Sequence, residues 1–137
     1  MERKAMIAWI LLAAVVAILT YIRLAPSDVD RWHRPIEARE SKTFEGGAIR
    51  VIDARPDTLT RVNEAATDLP RTQVLAGSVA EGRVTYVTRS RLMGFPDYTT
   101  VEQQGDTVKL YARLRFGRSD MGVNAARLER LVKAAQP

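Results

Sequence analysis

Cysteine is absent from the 137-residue chain, and histidine occurs once, at position 33. The first absence excludes thiol catalysis, disulfides and cysteine-ligated metals, while an oxidising compartment remains open because a domain with a real core folds without disulfides. The second leaves one imidazole between Trp32 and Arg34 with no second ligand or orienting partner in view, so His33 reads as a surface residue, neither metal ligand nor base. No metal and no cofactor is implied. Lysine runs and helices with basic residues along one face are also lacking, and with them the usual footprint of nucleic-acid binding. Internal repeats and low-complexity tracts are missing, and the length suits one small domain with a single core.

What the chain does have is a leading apolar run. After the basic lead Met1-Glu2-Arg3-Lys4, residues 5–22 are apolar except for Thr20. About eighteen such residues nearly cross a hydrocarbon core of roughly 30 Å, and Arg23 can snorkel outward to extend the reach. Trp9 and Tyr21 fit the interfacial positions of a transmembrane helix. A cleaved signal peptide is the rival. The site around Ala25 is poor for it, because Ile22 is bulky, Leu24 fills a place meant for a small residue and Pro26 follows directly. Arg3 and Lys4 favour a cytoplasmic N-terminus, against the opposing pull of Arg23, Arg31 and Arg34.

Residues 1–25 are therefore expected to be lead and anchor, 26–47 a juxtamembrane turn and linker, and 48–137 the folded domain. Ser27 caps a short turn that places Val29, Trp32 and Ile36 on one side, against the membrane surface or the domain. Beyond Gly46-Gly47 the pattern predicts strand, helix, four strands and helix. The fold class is α+β: a small antiparallel sheet with helices on one face, the closing helix packing through Met121, Ala125, Leu128, Val132 and Ala135.

The heaviest local instruction lies in the segment 113–124. It ends an alternating strand, turns on Gly117, and caps the last helix with Ser119 or Asp120, while Gly122 admits a close approach to its first turn. Asn124 and Arg127 lie one turn apart. Asn124 is expected to tether the 94–97 loop or the Gly117 corner, and Arg127 to pair with Asp97 or Asp120. Residues Phe116 to Asn124 with Arg127, preceded by Ser90-Arg91-Leu92-Met93-Gly94-Phe95-Pro96-Asp97, resemble a bacterial family of domains of unknown function, number fourteen-ninety-nine, mainly over residues 89–132. The Pro-Asn-Cys segment often found in that family is missing, Leu114 stands where serine is common, and Arg118 replaces an aromatic. The resemblance brings no activity with it. With the anchor, it implies a single-pass protein of the bacterial inner membrane whose domain faces the periplasm.

The +5 charge is uneven, with 10 Lys/Arg against 10 Asp/Glu in residues 1–70 and 11 against 6 in 71–137. Arg89, Arg91, Arg113 and Arg115 should project from the polar face of two nearby strands, where paired guanidinium groups hold a phosphate, sulfate or carboxylate; a solvated outer face is the plainer alternative. The expected function is a non-catalytic, membrane-anchored module that binds an anionic envelope component, such as lipid, or a membrane-protein partner. Asp97, Asn124 and Arg127 are further candidate binding residues, and Gly117, Ser119, Asp120 and Gly122 form the structural corner. Two rivals are a hydrolase using Asp97 and Asp120 as paired carboxylates, and a spacer that oligomerises through its anchor.

Overall fold

The computed structural model describes residues 2–136. Helix α1 (Arg3–Leu24) spans 22 residues, about 33 Å at 1.5 Å per residue, and is long and apolar enough to cross a membrane. Ile22 is its one buried residue. A single turn of helix, α2 (Val29–Trp32), follows. Six strands then form one antiparallel sheet: β1 (Lys42–Phe44), β2 (Gly47–Asp53), β3 (Thr72–Ser78), β4 (Arg83–Arg89), β5 (Pro96–Gln104) and β6 (Thr107–Leu114), in the spatial order β1-β2-β6-β5-β4-β3. Helices α3 (Thr58–Thr67) and α4 (Val123–Ala135) cover one face, so the α+β expectation holds.

Strict alternation builds that face. Val84 and Tyr86 of β4, Val101 of β5, and Val108, Leu110 and Ala112 of β6 are buried against Leu59, Val62 and Ala66 of α3 and Leu128, Leu131 and Ala135 of α4. The stripe of α4 differs from the expected one at its start and at Leu131, which is buried where Val132 was expected, Val132 being only half-buried. Met121 is 94% exposed, in a left-handed turn (φ 54°) ahead of the first helical residue, and Asn124 takes the first buried place.

The opposite face carries the larger departure. Within residues 26–47, expected to be a turn and linker, 42–44 form the edge strand β1 and 25–36 form a strap across the outer face of the sheet, while 37–41 are mostly exposed and lie outside any helix or strand. Trp32 lies on Tyr98, and its carbonyl accepts from Arg113 Nη2 (2.6 Å) and Thr100 Oγ1 (3.3 Å). The Ile36 N–H donates to Glu102 Oε1 (3.0 Å), while the Ile36 carbonyl accepts from Gln104 (2.9 Å) and Lys109 (3.4 Å). His33 is half-buried, its Nδ1 2.8 Å from Thr85 Oγ1. Of the two surfaces expected for the turn that carries Trp32 and Ile36, membrane or domain, the domain is the one it meets, and its backbone groups are answered by the sheet's side chains, not by a neighbouring strand.

Antiparallel pairing brings one set of turns to a single end of the sheet: Pro70-Arg71, the 90–95 loop, and the 115–122 corner. The last turn of α1 docks at this end. Arg23 donates to the carbonyls of Met93 (Nε, 3.3 Å) and Leu92, Arg89 Nη1 donates to the Ile22 carbonyl (3.3 Å), and the Tyr21 ring meets Phe116 edge-on at 6.2 Å.

Candidate functional site

Two adjoining depressions occupy the end of the sheet where α1 docks. The first is an arginine bay of about 440 Å³, walled by Arg23 from α1, Arg71 ahead of β3, Arg89 at the end of β4, and Arg91 in the following loop. The strand ends fix these positions. Arg71 holds a left-handed turn (φ 54°) and its Nε donates to the Arg89 carbonyl (3.0 Å), while Arg89 Nη1 also reaches the Gly94 carbonyl (2.9 Å). No carboxylate lines the bay, and none of its four arginines forms an ion pair among the described residues. Each guanidinium carries five N–H donors, so backbone carbonyls leave part of that capacity unmet. Leu92 (78% exposed) and Met93 stand out from the loop beside the end of α1.

The second depression, about 450 Å³, shares Arg71, Arg89 and Ser90 with the bay and lies against the start of α4. Here Asn124, wholly buried, joins two carboxylates: its Nδ2 donates to Asp120 Oδ2 (2.8 Å) and to Asp97 Oδ2 (3.3 Å). Its Oδ1 accepts from Arg127, whose Nη1 is 3.5 Å from Asp97 Oδ2. Burial pushes the Asp97 carboxyl above its ordinary range against the pull of Arg127, and burial lowers Arg127 against the pull of Asp97. Asp120 caps α4, accepting from the N–H of Gly122 at Oδ1 (2.9 Å) and of Asn124 at Oδ2 (3.3 Å). Gly122 (φ 80°) sits at the helix entry. Ser119 Oγ accepts from the Met121 N–H (3.3 Å), and Gly117 (φ 96°) makes the open turn after β6.

The expected arginine quartet is divided. Arg89 and the exposed Arg91 are in the bay. Arg113 and Arg115 lie on the same outer face but towards the strap. Arg113 donates to Trp32 O, Thr100 Oγ1 and Tyr111 O, and Arg115 Nη1 donates to the Pro26 carbonyl (3.0 Å) and Tyr98 Oη (3.1 Å). Glu102, on the same face, is buried and paired with Arg83. Arg23 and Arg71 complete the bay. Their signals were the charge closing an apolar helix and the residue after Pro70, and only the tertiary fold brings them together.

Both segments that carried the resemblance, 90–97 and 116–124 with Arg127, meet around this end of the sheet. The model of the family described as "Protein of unknown function (DUF1499)" matches residues 22–134. The chain belongs to the DUF1499 family. No curated protein matches the chain. The DUF1499 match begins at Ile22, so it takes in the last turn of α1, the strap and both depressions together with the sheet.

Proposed function

We propose that this DUF1499 protein is a membrane-anchored, extracytoplasmic binding module that uses the arginine bay to hold the anionic headgroup of a membrane lipid. The observation that carries this reading is the placement of four guanidinium groups without a carboxylate partner around one cavity, where the only helix fit to span a bilayer enters the domain among the described residues. With α1 in the membrane, Arg23 lies at headgroup level, and Leu92 and Met93 are set to enter the acyl boundary beside it. A phosphate among neighbouring guanidinium forks gains charge-assisted, bidentate bonds that the backbone carbonyls do not supply. Retention of α1 is supported by its last turn: cleavage after Ala25 would remove buried Ile22 and the Arg23 clasp on the 92–93 loop.

The test is native mass spectrometry of the full chain released from nanodiscs of mixed phosphatidylcholine and phosphatidylglycerol. The wild type should retain phosphatidylglycerol, and Arg71→Ala with Arg91→Ala should lose that preference while keeping its fold. Equal retention by the double variant would defeat the reading. Loss of a co-purifying membrane protein in place of lipid would transfer the bay to a protein partner.

A catalytic reading is favoured by one observation, the cavity that holds both Asp97 and Asp120 with Asp97 poorly solvated. Against it, Asp120 already serves α4, and Ser90 Oγ and Ser119 Oγ accept from loop N–H groups. Turnover of p-nitrophenyl esters or phosphates that disappears in Asp97→Asn would favour chemistry over binding.

A further inference from the structure

A third and larger depression, about 840 Å³, lies away from the arginine bay, between the strap and the outer face of β1, β2 and β6. It falls within the volume range of small-molecule pockets. Its walls are aromatic and aliphatic: Trp32 and Ile36 from the strap, Phe44 from β1, Ile49 from β2 and Tyr111 from β6.

Each of the three rings carries a cation over its face. Arg31 lies 4.5 Å from the Trp32 centroid, Lys42 5.7 Å from that of Phe44, and Arg113 4.5 Å from that of Tyr111 and 5.3 Å from that of Trp32. Arg34 joins them at the rim, and Glu37 is the only carboxylate in the lining. None of the four cations is in an ion pair among the described residues.

Arg113 is the informative member. Its contacts are the Trp32 and Tyr111 carbonyls and the Thr100 hydroxyl, three hydrogen bonds to neutral acceptors from a group with five N–H donors. Burial lowers its pKa to about 10, opposed by the neighbouring Tyr111 and Tyr98. A partly buried cation is ordinarily answered by an anion, and here the wall beside it is open to one.

We propose that this groove is a second binding site, for a small organic acid whose carboxylate or phosphate meets Arg113 and the rim cations while a flat apolar body lies between Trp32, Phe44 and Tyr111. Charge excess selects the anion, and the ring walls select the body. A bare inorganic anion would leave those walls wet, and a neutral aromatic would leave Arg113 unanswered.

The test is calorimetric titration of 2-naphthoate into the full chain in phosphatidylcholine nanodiscs, with empty nanodiscs as the blank. Saturable binding to the wild type is expected, weakened at least tenfold in the exposed rim double variant Arg34→Ala with Lys42→Ala, and at least tenfold weaker for neutral 2-naphthamide. The bay double variant Arg71→Ala with Arg91→Ala should bind 2-naphthoate as the wild type does, which separates this site from the lipid site. The proposal is overturned if no saturable heat exceeds the blank, if the rim variant binds unchanged, or if the amide binds as tightly as the acid. With Trp9→Phe in the background, Trp32 is the sole tryptophan and its near-ultraviolet circular dichroism should change on binding; an unchanged signal with saturable heat would place the ligand elsewhere.

Discussion

The indole of Trp32 lies flat on the ring of Tyr98, with centroids 3.9 Å apart and planes 11° apart. Tyr98 is fully buried in β5, in the middle of the sheet, and Trp32 belongs to the segment leaving α1. The stack therefore ties the segment leaving α1 to the sheet, helped by Ser27 Oγ at 2.7 Å from Tyr98 Oη and by the Pro26 carbonyl on Arg115. Trp32→Ala should cost about 3–5 kcal/mol, the usual loss for a buried large aromatic, read from urea denaturation of the sheet signal. Ser27→Ala removes one part-buried hydrogen bond and should cost about 1 kcal/mol. Equal effects would mean that the stack contributes nothing beyond its polar neighbours.

The strap should respond to acid. Burial raises the Glu102 carboxyl, but the Ile36 N–H, the Gln104 amide and the Arg83 guanidinium outweigh it and hold the group below its ordinary 4.5. The unfolded chain thus binds the proton more tightly, so the stabilisation is full above the ordinary carboxylate range and is lost as pH falls through the folded value. His33 acts in a higher window. Its burial and Arg83 lower it below 6.5, so its contribution is full above that pH and fades as acid charges the ring. Glu102→Gln should cost about 3 kcal/mol at neutral pH, the low end for a buried pair because Arg83 stays partly exposed. It should also flatten the limb below pH 4.5, while His33→Gln should flatten only the part between 6.5 and that limb. Hydrogen exchange at the Ile36 amide is the direct readout, and an unchanged acid limb in Glu102→Gln would refute the assignment.

Periodicity made the helix-covered face legible. Val84 and Tyr86 alternate with Thr85 and Val87, and Leu128 and Ala135 fall on the expected stripe of α4, where Leu131 is buried and Val132 only half-buried, so burial there follows from one residue's position relative to the next to within a residue. The corner was legible for a similar reason, since Asp120, Asn124 and Arg127 are neighbours within a turn of helix and their mutual bonds are local. The strap was not. Its contacts join residues about seventy positions apart, as between Ile36 and Glu102, and they run through side-chain donors and acceptors that impose no period on the chain. The bay has the same character, because Arg23 and Arg71 approach Arg89 only when α1 and β3 have both been placed.

Two glycines in similar backbone states should behave differently. Gly77 (φ 82°) and Gly82 (φ 79°) both pay a strain of about 1–2 kcal/mol when given a side chain. At Gly77 a Cβ would also stand 2.1 Å from the Arg83 carbonyl oxygen and 2.7 Å from the His33 ring, whereas at Gly82 nothing lies within 4 Å. Gly82→Ala should therefore show the strain alone, and Gly77→Ala should exceed it by about 2 kcal/mol through the shift forced on β3, β4 and His33. Denaturation midpoints measured side by side test this, and equal losses would show that the strand pair yields freely.

Asn124 offers the sharpest test of the corner, because its amide donates to both carboxylates. Asn124→Ala removes the donor and should cost about 2–3 kcal/mol, since the poorly solvated Asp97 and the neighbouring Asp120 both lose a hydrogen bond. Asn124→Asp replaces the donor with a third acid beside the other two. Like charges raise the folded pKa of the new carboxyl above its unfolded value, so its folded form holds the proton more tightly; stability is retained in acid and lost as pH rises through the folded value. This slope is opposite in sign to that of Glu102 and His33. The variant should be less stable than Asn124→Ala at pH 7, and the gap should close or reverse near pH 4, as read from urea midpoints at the two pH values. If Asn124→Asp instead tracks the wild type across that range, Asp97 and Asp120 do not share the corner as charged neighbours.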